Sequence, residues 1–383
     1  MRYRPGLDGI RALAILSVFS AHAAIPGIRG GGLGVQVFFA LSGYLITSLL
    51  LSESARYGAV GFLRFFGRRG LRLVPAVVLM LAIVTVITAV VHGPHANYVQ
   101  IPYILFYFEN WIKALHPVYN AGWYGHMWSL SVEEQFYLVW PAVLFIALRA
   151  SRKKAIIACI VGMAISLVLR IAFYHGISDL SRIFYGTDTV GDDLLAGCLG
   201  ALLLWQATPS QEATLRRALR WLFWPAAAWL IAELVALPSV SHPSTELTLY
   251  ITGGRTIEAL TSAIVVAAVA IDVAPRWVLW LLASPPLVML GRISYGFYLW
   301  HVPLLYLLGL DVTRIVQIPV ALVGSVMIAT LSFHLVERPL QRRFRARVSA
   351  GGPHCVADIP TEPSLVEPLR NDPDGTRTRG RRG

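Results

Sequence analysis

The chain has 383 residues, of which 56% are hydrophobic and only 14% are charged, whereas about a quarter of the residues in an ordinary soluble domain are charged. The mean hydropathy is +0.61, so the composition excludes an ordinary soluble protein and indicates an integral membrane protein. The formal net charge of +12 would also suit nucleic-acid binding, a class that the positions of the basic residues argue against.

Apolar runs of about 20 residues predict membrane-spanning helices. Ten runs of this kind occur, near residues 10–28, 33–51, 73–91, 129–148, 155–174, 192–205, 221–237, 256–271, 287–309 and 315–336. If the N-terminus is cytoplasmic, the inner segments contain 21 Lys and Arg residues and the outer loops contain five. This asymmetry satisfies the positive-inside rule and accounts for the basic excess, so we expect no nucleic-acid partner.

The predicted fold is therefore an all-α integral membrane protein with about ten transmembrane helices and cytoplasmic N- and C-termini. We expect a single membrane domain over residues 1–347, in a multi-pass protein of the cell (inner or plasma) membrane. After about residue 348 the sequence turns to Pro, Gly, Asp and Arg, a composition that cannot bury a core. Residues 348–383 are expected to form a disordered cytoplasmic tail.

The first apolar run, "LDGIRALAILSVFSAHAAIPG" at residues 7–27, imitates a signal peptide because basic residues precede it and small residues flank its histidine. Asp8 and Arg11 interrupt the run where its apolar part should start, so we expect an uncleaved first helix. Arg11 and His22 are eleven residues apart, which places them about 20° apart around a helix and about 16 Å apart along it. They are either an interfacial arginine and a satisfied histidine, or part of a reaction centre.

Two arginines stand at the mouth of the third predicted span, in "RFFGRRGLRLVPA" at residues 64–76. Arg69 and Arg72 are three residues apart and share a helix face, where they could hold phosphates bidentately. The alternative role for such a cluster is positive-inside anchoring. The preceding stretch, "GVQVFFALSGYLIT" at residues 34–47, places Ser42 and Gly43 where two helices could pack closely.

The fourth predicted span opens with two carboxylates, Glu133 and Glu134, in "WSLSVEEQFYLVWP" at residues 128–141. Neighbouring helical residues point about 100° apart, so both glutamates cannot face one partner. A histidine beside a buried carboxylate is an arrangement typical of a general base, because the carboxylate holds the tautomer and stabilises the imidazolium. His22 and Glu133 are candidates for this pair.

Ionisable residues continue to occur in the later spans, where each is costly and calls for a reason. Asp188 and Asp192 precede or begin the sixth span, and His301 lies within the ninth. Glu337 and Arg338 end the last span at its cytoplasmic face. The three cysteines have no metal or redox spacing, and we predict no metal site and no bound cofactor.

Together these stretches resemble acyltransferase family 3, a family of membrane O-acyltransferases, and the resemblance covers residues 4 to about 344. Its motifs are "LDGIRALAILSVFSAH", "GVQVFFALSGYLIT", "RRGLRLVPA", "WSLSVEEQFYLVWP", "ISYGFYLWHVPL" and "HLVERPL". The resemblance implies transfer of an acyl group, commonly acetyl from acetyl-CoA, to a hydroxyl of a carbohydrate or a glycosylated molecule. It implies that Arg11 and His22 are required for activity, and it matches Arg69 and Arg72 to the family's arginine pair and Glu337 to the glutamate of its last motif.

The chain departs from the family pattern in one motif and in length. Relatives often have Asp-Thr-Arg where this chain has Asp188-Thr189-Val190, so acceptor recognition there is expected to differ. Some relatives carry a C-terminal esterase-like domain that passes the acyl group onward. The sequence is too short to contain one, so we expect the acceptor to reach the membrane domain itself.

The expected mechanism uses a site that opens at both ends. Arg11, Arg69, Arg72 and Arg338, with Glu337, would surround the phosphates of an acyl-CoA cosubstrate at the cytoplasmic side. His22, oriented by Glu133, would act as general base on the acceptor hydroxyl. The acceptor side of the site would be formed by Asp188, Asp192 and His301. Direct attack is favoured over an acyl-histidine relay, and no serine or cysteine lies in a recognisable nucleophile motif.

Two other classes of function remain open at this point. A proton-coupled transporter or exporter also uses buried His and Glu, but it leaves the cytoplasmic arginines unexplained, and a scaffold would need no histidine in its first helix. The acceptor is open as well: a surface glycan, peptidoglycan, a glycolipid and a glycosylated secondary metabolite such as a macrolide all suit a membrane domain.

Overall fold

The computed structural model describes most of the chain up to residue 342. The described residues are 3–28, 30, 32–57, 61–93, 98–116, 119, 122–176, 180–236, 245–309, 314–340 and 342. Within them the regular structure is entirely helical, which agrees with the predicted fold class. The expected tail at 348–383 and the end of the expected membrane domain at 347 lie outside the described residues.

The described part of the N-terminal half contains six α-helices and one turn of 3-10 helix. They are α1 (Pro5–His22), α2 (Gly32–Tyr57), α3 (Phe62–His92), α4 (Gln100–Leu105), α5 (Glu109–Leu115), the 3-10 turn (Gly122–Tyr124) and α6 (Trp128–Ala150). The short helices α4 and α5 belong to the connection between two long helices, and α5 packs against α6.

In the C-terminal half, the residues that the structure describes form ten α-helices and two π-helical turns. They are α7 (Arg152–Gly176), α8 (Ser181–Tyr185), α9 (Thr187–Leu204), α10 (Pro209–Ala236), α11 (Thr245–Leu249), a π turn (Tyr250–Gly254), α12 (Arg255–Ala270), α13 (Arg276–Leu282), α14 (Pro285–Arg292), α15 (Ser294–Leu307), α16 (Arg314–Ser332) and a π turn (Phe333–Glu337).

Among the described residues, seven helical segments are long and apolar enough to cross a membrane. They lie at Gly32–Arg56, Phe65–Val91, Trp128–Ala150, Arg152–Tyr174, Pro209–Val235, Glu246–Ala270 and Val316–Leu340. The other three predicted spans also coincide with helices, but α1 and α9 have 18 residues each and contain charged side chains, and α15 has only 14. The chain is a multi-helix membrane protein in which three helices that carry polar groups are short or less apolar.

The ninth predicted span, 287–309, is divided into two helices. α14 ends at Arg292, and α15 begins at Ser294 after Ile293, whose backbone angles are not helical (φ −92°, ψ 4°). A continuous apolar run cannot reveal such a break, because the residues on both sides remain hydrophobic. The break allows α15, which carries His301, to take a direction different from that of α14.

Glycines set the position of α1 and α2 in the core. Gly43 of α2 lies against the backbone of α9, and Gly197 of α9 lies against the backbone of α2, so a Cβ at either residue would overlap a carbonyl group. Gly291 of α14 makes the same close approach to the backbone of Asp8 in α1. Such small-residue contacts let membrane helices approach closely. They hold α2 against α9, and they hold α14 against α1, the helix that ends at His22.

Candidate active site

A pair of histidines joins the end of α1 to the middle of α15. Nε2 of His301 lies 3.2 Å from Nδ1 of His22, and the two rings meet edge to face with centroids 5.0 Å apart. His301 is fully buried. His22 keeps a solvent-exposed surface, although many protein atoms lie around its ring. The structure thus brings together two residues that lie 279 positions apart in the sequence.

The hydrogen-bond partners of the two rings assign their tautomers. Nδ1 of His301 lies 2.7 Å from the carbonyl oxygen of Tyr298, so it must carry hydrogen, and Nε2 of a neutral ring must then be an acceptor. Nδ1 of His22 lies 3.0 Å from the carbonyl oxygen of Val18, so its hydrogen is shared between that oxygen and His301. This tautomer assignment follows from the hydrogen-bond partners of each ring. It places the free lone pair of His22 on Nε2, which has no protein partner among the described hydrogen bonds.

A third histidine, His126, lies beside this pair and was not found by the sequence patterns. Its ring centroid is 5.2 Å from that of His301 and 5.2 Å from that of Tyr298. The side chain is 1% exposed. The Tyr298 hydroxyl donates to the backbone carbonyl of His126 and lies 2.6 Å from the Ser129 hydroxyl. The available signal was a histidine two residues before the "WSLSVEEQF" stretch.

Glu133 and Glu134 bind Arg69 and Ser42 rather than the histidines. Nε and Nη2 of Arg69 donate to Oε1 of Glu134 over 2.9 and 2.7 Å, and Nη2 lies 3.9 Å from Glu133. The guanidinium also lies 3.5 Å above the ring of Tyr137. The hydroxyl of Ser42 donates to Glu133 over 3.0 Å.

The expected contact between Glu133 and His22 is therefore missing from the described hydrogen bonds and ion pairs. The reason is rotational: the face of α6 that carries Glu133 is turned toward α2 and Arg69, while α15 lies against the end of α1. Ser42, which the sequence suggested only as a packing residue, is the hydrogen-bond donor to Glu133.

Arg11 has a partner on its own helix. Its guanidinium lies 2.8 Å from Asp8, and Asp8 also accepts a hydrogen bond from the Tyr3 hydroxyl over 2.7 Å. Arg292 donates to the same hydroxyl over 2.9 Å. The side chain of Arg11 stays 27% exposed, so part of its guanidinium can still meet a ligand at this end of α1.

The last π turn brings Glu337 to α3. Glu337 is 3% exposed and interacts electrostatically with Arg72, while Arg72 itself is exposed and Arg338 is half-buried. Of the two arginines at the mouth of α3, Arg69 is held by a carboxylate and Arg72 keeps an exposed guanidinium. Sequence spacing placed the two side by side but could not separate these environments.

The two aspartates expected on the acceptor side are both in ion pairs. Oδ1 and Oδ2 of Asp192 accept from Arg170 over 2.7 and 2.6 Å, and both side chains are essentially unexposed. Asp188 accepts from Arg182 over 2.8 and 2.6 Å and stays 35% exposed. Asp192 therefore connects α9 to α7 inside the core, and Asp188 is the more accessible of the two.

Helix α5 places a cation close to the histidines. Nζ of Lys113 donates to the carbonyl of Gly125 over 2.8 Å and lies 4.5 Å from the centre of the Tyr185 ring. Burial lowers the pKa of Lys113 to about 8, against the opposing effect of Glu109. Burial also raises the pKa of Glu109 to about 7, although a hydrogen bond from Tyr119 and the charge of Lys113 oppose the rise.

A separate apolar cavity of about 340 Å³ lies between α3, α15 and α16. Its lining includes Trp300, next to His301, but no charged side chain. Phosphates need cationic or amide donors, so this cavity does not suit the nucleotide part of a CoA thioester. Among the described residues no group of three or more His, Cys, Asp or Glu could hold a metal ion.

Comparison with known proteins gives a consistent result over nearly the whole chain. A family model described as an acyltransferase domain matches residues 4–336. The peptidoglycan O-acetyltransferase OatA of Listeria monocytogenes serovar 1/2a is 31% identical over 355 residues, which cover 89% of this chain and 56% of the relative. The O-acetyltransferase OatA of Staphylococcus aureus strain NCTC 8325 is 30% identical over 365 residues, or 89% of this chain and 58% of the relative.

The chain therefore spans little more than half the length of these curated relatives. No solved structure gives a significant match. The matched region contains the histidine pair, the glutamates with Arg69 and Arg72, and the buried Asp192.

Proposed function

The chain belongs to acyltransferase family 3, and from this premise we propose that it is a membrane O-acetyltransferase. It moves an acetyl group from acetyl-CoA to a hydroxyl of a cell-surface carbohydrate. The names of its relatives favour peptidoglycan as the acceptor. The observation that carries the proposal is the His22–His301 pair, in which Nε2 of an exposed histidine at the end of a membrane helix has no partner among the described hydrogen bonds.

His22 acts as the general base in this mechanism. Its Nε2 takes the proton of the acceptor hydroxyl while the hydroxyl oxygen attacks the thioester carbonyl carbon. The carbon–sulfur bond then breaks, and the CoA thiolate takes the proton back from His22. His301 accepts the Nδ1 hydrogen of His22 and stabilises the imidazolium, so a neutral histidine takes the part that we expected of Glu133.

Glu133, Glu134 and Arg69 hold the polar interior between the two ends of the site. Glu133 is influenced electrostatically by Arg11 as well as by Arg69, so the charged residues continue from Arg11 at the start of α1 toward α6. The three side chains are 15–23% exposed, which suits a polar passage for the pantetheine arm of CoA.

The CoA phosphates bind at the cytoplasmic end, held by Arg72, Arg338 and the exposed part of Arg11. This placement rests on ten membrane crossings with both termini in the cytoplasm of a cell-membrane protein, as the distribution of Lys and Arg requires. Arg69 supplies little of this binding, because Glu134 already neutralises it. Glu337 holds Arg72 in place across the contact between α3 and the last π turn.

Arg72→Ala should raise KM for acetyl-CoA about ten- to a hundredfold, since one charge-assisted contact contributes about 1.5–3 kcal/mol. The KM for the acceptor should stay within about twofold. Initial rates at varied acetyl-CoA and fixed acceptor measure this. Arg216→Ala, which removes an exposed arginine of α10 that pairs with Glu212, is the matched control. An unchanged donor KM in Arg72→Ala would remove this residue from the donor site.

The activity itself is tested with purified protein in liposomes, supplied with acetyl-CoA and a soluble peptidoglycan fragment. We expect release of free CoA thiol that requires the fragment, and a mass increase of one acetyl group on the fragment. A proton-coupled transporter would release no CoA thiol. Release of thiol without acetylation of any offered glycan would indicate acetyl-CoA hydrolysis and would contradict the proposed acceptor class.

A further inference from the structure

Lys113 is a cation near the catalytic base that forms no direct ion pair with the described residues. The described ion pairs do not include it, and its described partners are the Gly125 carbonyl and the face of the Tyr185 ring. One hydrogen bond leaves two of its three ammonium hydrogens available. The charge of Glu109, four residues earlier on α5, acts on the ammonium, but no carboxylate binds the ammonium directly in the described ion pairs. A partly buried cation without a directly bound carboxylate is costly, so the ammonium suits an anion that binds or forms there.

His126 adds a second donor at the same place, because its contact with the Leu299 carbonyl lacks good hydrogen-bond geometry. A neutral imidazole always has one N–H group, yet neither ring nitrogen makes a hydrogen bond of good geometry. The Leu299 carbonyl lies near the ring. Leaving a buried polar group unpaired costs about 1–3 kcal/mol, so a ligand that accepts a hydrogen bond would relieve this cost.

The two groups face the same part of the site. Lys113 binds the carbonyl of the residue that precedes His126, and the charge of Lys113 acts on both His126 and His22. His126 in turn touches His301, the partner of His22. A cation and an imidazole therefore lie around the His22–His301 pair, whose His22 takes the acceptor proton.

We propose that Lys113 and His126 form the oxyanion site of the acyl transfer, a role that rests on the proposed function. When the acceptor oxygen bonds to the thioester carbon, its proton moves to Nε2 of His22 and the carbonyl π electrons move to oxygen. That oxygen, now negative, receives hydrogen bonds from the Lys113 ammonium and the His126 ring. When the carbonyl re-forms, the carbon–sulfur bond breaks and the thiolate receives the proton from His22.

Lys113→Met is the first test, in the full-length protein in liposomes with acetyl-CoA and the peptidoglycan fragment. Loss of one oxyanion donor typically lowers kcat by about 10²–10³-fold, and we expect this loss with little change in either KM. Lys113→Arg should recover much of kcat because it keeps the charge. Lys154→Met, which removes an exposed lysine of α7, is the control and should retain wild-type kcat.

The dependence on pH separates a charged from a structural role. Since the pKa of Lys113 is about 8, the ammonium is lost above that pH, and wild-type kcat should fall there. Arginine stays charged, so the fall should move to higher pH in Lys113→Arg. The titratable or charged groups around Lys113 are Glu109 on α5, Arg182 and Tyr185 on α8, and the rings of His22 and His126. If the titration of one of these groups caused the fall in kcat, that fall would occur at the same pH in Lys113→Arg.

His126 is tested by two replacements of different chemistry. His126→Phe keeps a ring but removes the donor and should lower kcat by about 10²-fold or more, whereas His126→Gln keeps an N–H group and should lose less. Because both donors act on one oxygen, the loss in the double variant with Lys113→Met should be smaller than the product of the single losses. Thermal unfolding of each variant in detergent identifies those that misfold.

Failure of this inference differs from failure of the proposed function. If wild-type protein acetylates the glycan and Lys113→Met retains kcat, the oxyanion site is elsewhere. A rise confined to the acceptor KM would mean that Lys113 binds an anionic group of the acceptor, which also overturns the inference. Absence of acyl transfer in wild-type protein would instead overturn the proposed function.

Discussion

We expect His22→Gln to lower kcat for acetyl transfer by about 10²–10⁴-fold, the range that general-base catalysis contributes. Glutamine can hydrogen-bond to Val18 and His301 in place of Nδ1, but its side-chain amide cannot accept the proton of the acceptor hydroxyl. His22→Ala should be as inactive and should still insert, because a small apolar residue relieves an insertion cost. The measurement is CoA thiol release at saturating donor and acceptor.

The control for this prediction is His116→Gln, a change at an exposed histidine that follows α5, which should leave kcat unchanged. Mass spectrometry of the purified protein should also show that the first helix is not removed as a signal peptide, so that the mature chain still includes His22. We expect this because Val18 and Phe19, which precede His22 on the same helix, are buried in the core. Near-normal turnover by well-folded His22→Gln would limit His22 to positioning. The base would then have to be sought at His301 or Glu133.

Arg170→Met is expected to have the largest effect on stability, a loss of about 3–5 kcal/mol, because it leaves the buried carboxylate of Asp192 without its cation. Both side chains are essentially unexposed, and Arg170 also donates to the Thr189 carbonyl and the Thr256 hydroxyl over 2.6 and 2.5 Å. The interaction therefore connects α7, α9 and α12. Thermal unfolding in detergent, with yield in the membrane fraction, measures the loss.

The paired replacement distinguishes a structural ion pair from a site residue. Arg170→Met combined with Asp192→Leu removes both charges, so the double variant should be more stable than Arg170→Met alone. Arg216→Met, at an exposed pair, should change stability by less than about 1 kcal/mol. If an Asp192→Asn variant were fully stable but had lost acyl transfer, Asp192 would be a residue of the acceptor site, as its position in the sequence predicted.

Membrane character, helical class and family could all be read from the sequence. Nine of the ten predicted spans each overlap one long described helix and the remaining one, the ninth, overlaps two shorter ones, and seven of these helical segments are long and apolar enough to cross a membrane. The match arises because burying a segment in lipid requires about 20 apolar residues in a row, a local property of the chain. The six ordered motifs led to the family whose model matches residues 4–336. Arg11, His22 and His301 were recognised because ionisable residues are rare in apolar helices.

The partners of those residues were decided by the tertiary structure. Helical periodicity states which residues share a face, but it contains nothing about the rotation and depth of the neighbouring helix. Close contacts at Gly43 and Gly197 set those two quantities between α2 and α9, and the contact at Gly291 sets them between α14 and α1. In the folded protein His301 rather than Glu133 lies beside His22, and Arg69 pairs with Glu134.

The sequence patterns also failed to select two residues of the proposed site, His126 and Lys113. Both lie in the connection between α3 and α6, where no apolar periodicity makes a polar residue unusual, so the sequence offered no reason to select them. Their significance comes from burial and from missing partners, which exist only once the connection is folded against α6, α8 and α15. The sequence by itself determined which helices form and where charge enters the membrane, since both depend on the local transfer of side chains into lipid; only packing decided which charges and rings meet.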